Sequence, residues 1–257
     1  MRINTNVGAL TASRNIFVNQ MAGNSSMQKL SSGLRIAKAA DDAAGLAISN
    51  KLRTQSRSLN QASRNAEQGT AMLQIAEGGA QTIQRIIERQ KELIVQKSNS
   101  FSDSATSTTI ESEITTLSAE VARIASSTTF LGTTVLASLT FQVADVSANG
   151  ILTVNASLTV STVSLVGTAT LAQADSAMDA INSVLTSIGA GQNRLDFTQT
   201  NLKSSVVNIR SAESTVRDVD MAEEMASFTR NKILSQAAQA MMSQANQSTE
   251  SVLSLLK

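Results

Sequence analysis

The sequence predicts a mainly α fold: a long antiparallel coiled-coil helical bundle formed by both chain ends, with a small β-hairpin region in the middle. Three observations predict it. None of the 257 residues is proline, so long helices can run uninterrupted. Aromatic residues make up 2% of the chain, all of them phenylalanine, and a chain packed by Leu, Ile, Val, Met and Ala suits narrow helix–helix seams better than a thick globular core. Apolar side chains recur at steps of three and four over most of the length, and only residues 129–167 change to β-branched runs.

Each element follows from local pattern. Ile3, Val7, Leu10, Phe17 and Met21 fall on one face of a first helix over 3–30. Ser31-Ser32-Gly33 breaks it, and Asp41-Asp42 supplies a cap for a second helix over 42–98. Met72, Ala76, Gly79, Ile83, Ile86 and Leu93 keep heptad-like spacing through its second half. At ~1.5 Å per residue this helix reaches ~85 Å. A compact globule of this chain length has a radius of gyration of ~18 Å, so a rod is expected rather than a ball. Gly69, Gly78 and Gly79 each cost about 1 kcal/mol relative to alanine inside a helix, which packing must offset.

After the turn-like Ser98-Asn99-Ser100, a third helix over 104–128 carries Ile110, Ile114, Leu117, Val121 and Ile124 in a clean heptad. Strands are expected at Thr133-Thr134-Val135, Leu152-Thr153-Val154 and Leu158-Thr159-Val160, with Asn149-Gly150 as a type I′ turn. Helix returns over 171–217, where Ile181, Leu185, Ile188, Leu195, Leu202, Val206, Ile209 and Val216 are in register. Gln192, Gln199 and Glu213 take seam positions there, either fixing register and partner number or marking a hydrated seam. Asp218-Val219-Asp220 then caps a last helix over 221–254.

Composition excludes most chemistry. Without cysteine or histidine the chain has no disulfide, thiolate, imidazole base or usual zinc ligand, and no cofactor is expected. An enzyme would have to rest on Glu111 with Glu113 or Glu223 with Glu224, and such close neighbours along a helix do not share one face. The formal net charge of +1 gives no global field for nucleic acid, and the basic run Lys51, Arg53, Arg57, Arg64 has no interleaved aromatics. No apolar stretch approaches the ~20 residues of a membrane span, and MRINTNVGAL lacks the layout of a secretory signal, so export must use another route.

The two ends share one further property. Between Ile3 and Leu30 the only charges are Arg14 and Lys29, and beyond Phe228 only Arg230, Lys232, Glu250 and Lys257 occur. Exposed helices of a soluble monomer carry mixed charges. Neutral helices rich in Ala, Ser and Met fit burial in an assembly, with weakly ordered tails as the alternative.

These ends also carry specific strings. Leu30-Ser31-Ser32-Gly33-Leu34-Arg35-Ile36, then Asp41-Asp42-Ala43-Ala44-Gly45-Leu46-Ala47-Ile48 and Asn60-Gln61-Ala62-Ser63-Arg64-Asn65-Ala66, closely resemble the amino-terminal signature of bacterial flagellins. Gly189-Ala190-Gly191-Gln192-Asn193-Arg194-Leu195, Asp218-Val219-Asp220-Met221-Ala222, Ile233-Leu234-Ser235-Gln236-Ala237 and Gln244-Ala245-Asn246-Gln247 resemble the carboxy-terminal one. Val252-Leu253-Ser254-Leu255-Leu256 completes it, and the large central insert of many members is missing, so the chain looks like a minimal flagellin.

The resemblance implies a structural subunit that polymerises into the extracellular flagellar filament, a helical homo-polymer for swimming. It implies an inner tube domain from 1–41 and 218–257, with Ile3, Val7, Leu10, Phe17, Met225, Ile233, Met241, Val252 and Leu255 as assembly residues. Residues 42–217 would form the outer tube domain, comprising helices 42–98, 104–128 and 171–217 and the β-hairpin region 129–167. Partners implied are the flagellar export apparatus of type III, an export chaperone and the filament cap, with no nucleic acid and no membrane insertion. A toll-like receptor that senses flagellin is implied as well, through Arg89, Leu93 and Glu113, although Glu88 and Lys91 stand where strongly stimulating members carry Gln and Arg. Two other readings compete: a hook–filament junction protein of the hook-associated type, and an ordinary coiled-coil binding module. The Ser- and Thr-rich stretch 153–170 is a compositional candidate for O-linked glycans.

Overall fold

Asn6, Asp42, Asp103 and Asp220 each accept a backbone amide at a helix start. The computed structural model describes residues 6–99, 103–144 and 150–255, with backbone alone at 161–162 and 249–255. In it α1 spans Val7–Ser32, α2 Ala43–Lys97, α3 Ser104–Ser127, α4 Val160–Val163, α5 Leu171–Arg217 and α6 Met221–Leu255. Asp42 Oδ1 accepts from the Gly45 amide at 2.9 Å to open α2, and Asp220 Oδ1 accepts from Ala222 at 2.9 Å to open α6. Gly33, at φ 71°, closes α1 in the left-handed conformation that glycine adopts without a Cβ clash. Asp41 accepts from the amides of Lys38 and Ala37, which hold its carboxyl below the ordinary carboxylate range.

The strand region departs from expectation in two ways: strands form at Thr129–Phe130 and Ser138–Gln142, outside the three expected runs, and one expected run forms none. β1 (Thr129–Phe130) pairs antiparallel with β2 (Thr133–Thr134), and β3 (Ser138–Gln142) pairs antiparallel with β4 (Ile151–Asn155). The strand expected at Leu158-Thr159-Val160 does not form. Leu158 donates its amide to the Leu136 carbonyl at 3.4 Å, and Val160 begins the single turn α4. With Ala156, Leu158, Val163 and Leu165 all buried, burial of its apolar side chains decides this segment's path rather than a ladder partner. Ser100 and Asn149, parts of two expected turns, lie outside the described residues, as does Ile3.

Contacts divide the chain into two compact units. One comprises Met1–Thr54 with Ile209–Lys257, the other Gln55–Asn208. The sequence suggests divisions at 41/42 and 217/218, at helix ends, whereas the compact units divide inside α2 and α5.

The second unit is a coiled-coil core. In α2 Leu59, Ala62, Ala66, Leu73, Ala76, Ala80, Ile83, Ile87, Gln90 and Ile94 are buried in a seven-residue repeat, with Leu93 and, nearer the start, Ser49 and Ser56 buried as well. The seam therefore passes through Leu73 and Ile87, and Met72 and Ile86, which the sequence places on it, flank it half-buried. Gly69 lies against Leu195, Leu73 against Gly191, and Glu77 accepts from Gln192 Nε2 at 2.9 Å, so α2 and α5 run antiparallel here. The largest polar seam residue is Gln90, which donates through Nε2 to the Ile114 carbonyl at 3.1 Å and to Ser118 Oγ at 3.0 Å, and Ser118 donates on to the Leu165 carbonyl. Gln90 ties α2 to α3, and through Ser118 to the segment after α4. Its Oε1 is buried without a protein partner, a desolvation cost the network carries.

The helical glycines now separate by neighbour. A Cβ on Gly79 would meet Thr128 Cγ2 and Oγ1, both at 2.9 Å, whereas at Gly78 nothing lies within 4 Å. Thr128 is β-branched and its hydroxyl bonds the Ile124 carbonyl at 2.7 Å, so it cannot swing aside cheaply. Gly78→Ala is expected to stabilise this unit by roughly 0.5–1 kcal/mol. Gly79→Ala should destabilise it by about 1–2 kcal/mol. Urea unfolding of the two variants beside the parent measures both signs.

Candidate assembly surface and the Arg89 cluster

In the first unit α1 and α6 pair antiparallel through small side chains. Asn6 caps α1 by accepting from the Ala9 amide at 3.0 Å, and its Nδ2 reaches across to the Ala245 carbonyl at 3.0 Å. A Cβ on Gly8 would sit 3.6 Å from the Ala245 Cβ, and at the other end Lys29 Nζ lies 4.0 Å from Glu224. Only Ala12 and Ser26 are buried in α1, and no side chain of α6 is buried over 221–248. The helices approach closely where the seam presents Gly8, Ala12, Gly23 and Ala245.

Many large apolar side chains point away from the seam, while Ile16, Leu30, Phe228 and Met242 are half-buried. Val7, Leu10, Phe17, Met225, Ile233 and Met241 are between 48% and 69% exposed. Val18, Met21, Met27, Met221 and Leu234 are exposed too, and of these only Met21 had been assigned to a helix face from sequence. Their signal was the position of the small residues: once Gly8 and Ala12 take the inside of α1, these positions face outward. Val252 and Leu255 belong to α6 as backbone. Two shallow grooves result, one beside Met225, Ile233 and Leu234, the other between the helices beside Ala12, Ala238 and Met241. A single chain leaves all of this apolar area in water, at a cost of about 25 cal/mol per Å² relative to burial.

The second unit carries the other candidate residues. Arg89 Nη1 lies 3.2 Å from Glu92 Oε2 on the same helix, and its Nη2 lies 3.3 Å from Glu113 Oε1 on α3. The hydrogen bond to Glu92 first, then that to Glu113, holds this guanidinium above its ordinary range. Both pairs are solvent-exposed, so they order a surface rather than hold the fold. Leu93 is 2% exposed and packs in the core beneath them. Arg89 and Glu113 are thus exposed at the surface, and Leu93 supports the helix that carries Arg89. Lys91 with Asp175 and Lys97 with Glu111, each at 2.6 Å, tie α2 to α5 and α3 on either side.

The comparisons decide the family. Residues 3–140 match the model of the bacterial flagellin N-terminal helical region, and residues 171–256 match that of the C-terminal helical region. The chain belongs to the bacterial flagellins. It is 43% identical to a flagellin of Halalkalibacterium halodurans and 38% identical to a flagellin of Bacillus subtilis, each over the full length of both chains. It is also 38% identical, again end to end, to the flagellar filament 33 kDa core protein of Treponema phagedenis. Flagellins are structural proteins, and this chain is a structural subunit of the flagellar filament, a homo-polymer; nothing in these likenesses favours the hook-associated reading. Among the described residues no helix is long and apolar enough to cross a membrane.

The geometry of this flagellin implies unequal stability along the chain. The α1–α6 seam fully buries only Ala12 and Ser26 among the described side chains, and isolated helices are marginal in water. In the unassembled protein, amides of α1 and α6 should therefore exchange hydrogen at least ~100-fold faster than those of α2 between residues 66 and 94. Exchange followed by mass spectrometry tests this, and equal protection would refute it.

Proposed function

We propose that the outward apolar faces of α1 and α6 are the surfaces by which flagellin copies pack into the filament wall. In this reading residues 1–41 and 218–257 form the inner tube, and residues 42–217, with the β-hairpin region, form the outer tube. The observation that carries it is the set of large apolar side chains left exposed on this pair, Leu10, Phe17, Ile233 and Met241 among them, around a seam in which only Ala12 and Ser26 are buried. Copies lacking such contacts would keep a large apolar surface wet. The scarcity of charge on α1 supports the same reading, since buried charge would oppose packing. Swimming is served mechanically, by a continuous helical polymer that transmits torque, and no catalytic step belongs to this reading.

Export as an unassembled chain through the flagellar type III channel, escorted by a chaperone and added beneath the cap, completes the proposal. An escort has a physical rationale, because the same faces that drive assembly would associate prematurely in the cell.

Assembly is tested by placing charge on the outer faces. Purified parent chain, salt- or seed-triggered, should form long filaments by negative stain. Phe17→Glu with Ile233→Glu should remain monomeric, with the thermal transition of the second unit unchanged. Filaments of parental length from that variant would overturn the assignment of these faces.

A second role has its own observation, the exposed cluster of Arg89, Glu92 and Glu113. We propose that it is the contact for the flagellin-sensing toll-like receptor, with Leu93 acting from beneath. Arg89→Ala should weaken binding of monomer to the receptor ectodomain by about tenfold or more, the loss of a charge-assisted contact at an interface centre. Arg57→Ala, outside the cluster, should leave it unchanged. Equal affinities for parent and Arg89→Ala would sink the receptor reading while leaving the assembly reading intact.

A further inference from the structure

Thioethers are this chain's oxidisable groups. It contains nine methionines and no Cys, His, Trp or Tyr, so an oxidant that reaches the protein finds methionine sulfur first. Their placement is uneven. Met21 and Met27 stand on α1, and Met221, Met225, Met241 and Met242 on α6, whereas only Met72 and Met178 belong to the second unit. Met72 and Met178 are partly buried against the core. Met21, Met27, Met221, Met225 and Met241 are between 48% and 64% exposed, with Met225 lining one apolar groove of the first unit and Met241 the other.

We propose that these five methionines are an oxidative modification site of the unassembled chain, with hydroperoxides as the reactant class, and that their oxidation blocks assembly. The inference rests on reading these faces as the packing surface. In the reaction a sulfur lone pair attacks the terminal oxygen of the peroxide and the O–O bond breaks. The thioether is oxidised to the sulfoxide, and hydrogen peroxide is reduced to water. Each event turns a flexible apolar side chain into a polar one with a strong acceptor oxygen. Packing such a face against a second copy would bury that oxygen without a donor. Leucine would fill the same positions without this sensitivity, so the gate depends on methionine itself. Copies already in a filament hold these sulfurs inside the wall, which confines the chemistry to chains not yet assembled. A thiol-dependent sulfoxide reductase reverses it, sulfoxide returning to thioether as two thiols become a disulfide.

The test uses the full chain, hydrogen peroxide, peptide mapping and seeded assembly. The five sulfurs should oxidise at least ~5-fold faster than Met72 and Met178, and oxidised chain should assemble at least ~10-fold less than untreated chain, with recovery after sulfoxide reductase treatment. A variant with all five changed to leucine should assemble equally before and after peroxide. Met225→Gln, a permanent polar substitute, should lower assembly with no peroxide present, which keeps the proposal testable if the five-leucine chain fails to fold. Oxidation spread evenly over all methionines, or undiminished assembly of the oxidised chain, would overturn the proposal. Untreated chain that never assembles would overturn the packing reading and the gate with it, and the peptide map would still decide whether these five sulfurs are the modification site.

Discussion

The close approach of α1 and α6 constrains everything else in the first unit. Gly8 can face Ala245, and Ala12 can lie buried, because both helices place small side chains at these points of the shared seam. Two helices in that relation have most of their large residues left for other faces. Phe17, Ile233 and Met241 are therefore outward by consequence of the seam, not by separate choice. Leu10→Ala in a lone chain removes little buried area, whereas Ala12→Leu forces the helices apart, the reverse of the usual weighting of large and small residues in a core.

The second unit follows the ordinary weighting. Its seven-residue repeat buries Leu73, Ile83, Ile87 and Ile94 along α2 and Ile181, Ile188 and Leu195 along α5, and the strands add Leu139, Leu152 and Val154. Such a seam supplies stability within one chain. Gln90 interrupts it with a polar group whose amide nitrogen finds two partners and whose oxygen finds none. Shifting α2 by one heptad against α3 would strand that nitrogen as well, so the network fixes register at a cost in stability. One chain thus contains a unit that closes on itself and a unit that stays open, and the difference lies in residue size at the seams.

The helices were legible because their signals are local. Asp42, Asp220 and Gly33 mark ends by side-chain hydrogen bonds or left-handed backbone, and each works where the sequence placed it. The heptad was legible as a period but not as a phase: choosing Met72 and Ile86 over Leu73 and Ile87 differs by one residue, and flanking positions of a coiled coil are apolar too. Leu158-Thr159-Val160 has strand composition, yet β-propensity reports a half-buried pleated surface, and this segment finds no edge to join. Val7, Leu10, Phe17 and Met21 of the α1 stripe are all exposed, and a stripe in the sequence does not say whether it meets the chain's own partner helix or water. That answer depends on α6, some 220 residues further along, and on the smallness of what α1 presents opposite the stripe. The ionic partners of Arg89 divide in the same way: Glu92 is one helical turn away, while Glu113 depends on how α3 packs.

An outward apolar face carries a liability that its polar neighbours must limit. α1 has just Arg14 and Lys29 as charges, so Asn, Gln, Ser and Thr supply its remaining polarity. Uncharged polar side chains keep a helix tolerably hydrated, and they lose far less than a charge does when a neighbouring copy covers them. Methionine makes a similar compromise among the apolar residues, being flexible enough to conform to an irregular neighbour yet less demanding of one fixed geometry than Ile or Val. A surface built from Met, Ala, Ser, Asn and Gln can therefore exist briefly in water and still pack well. The polarisable sulfur that provides this adaptability is also the chain's reactive atom, so adaptability and oxidation sensitivity come from the same side chain.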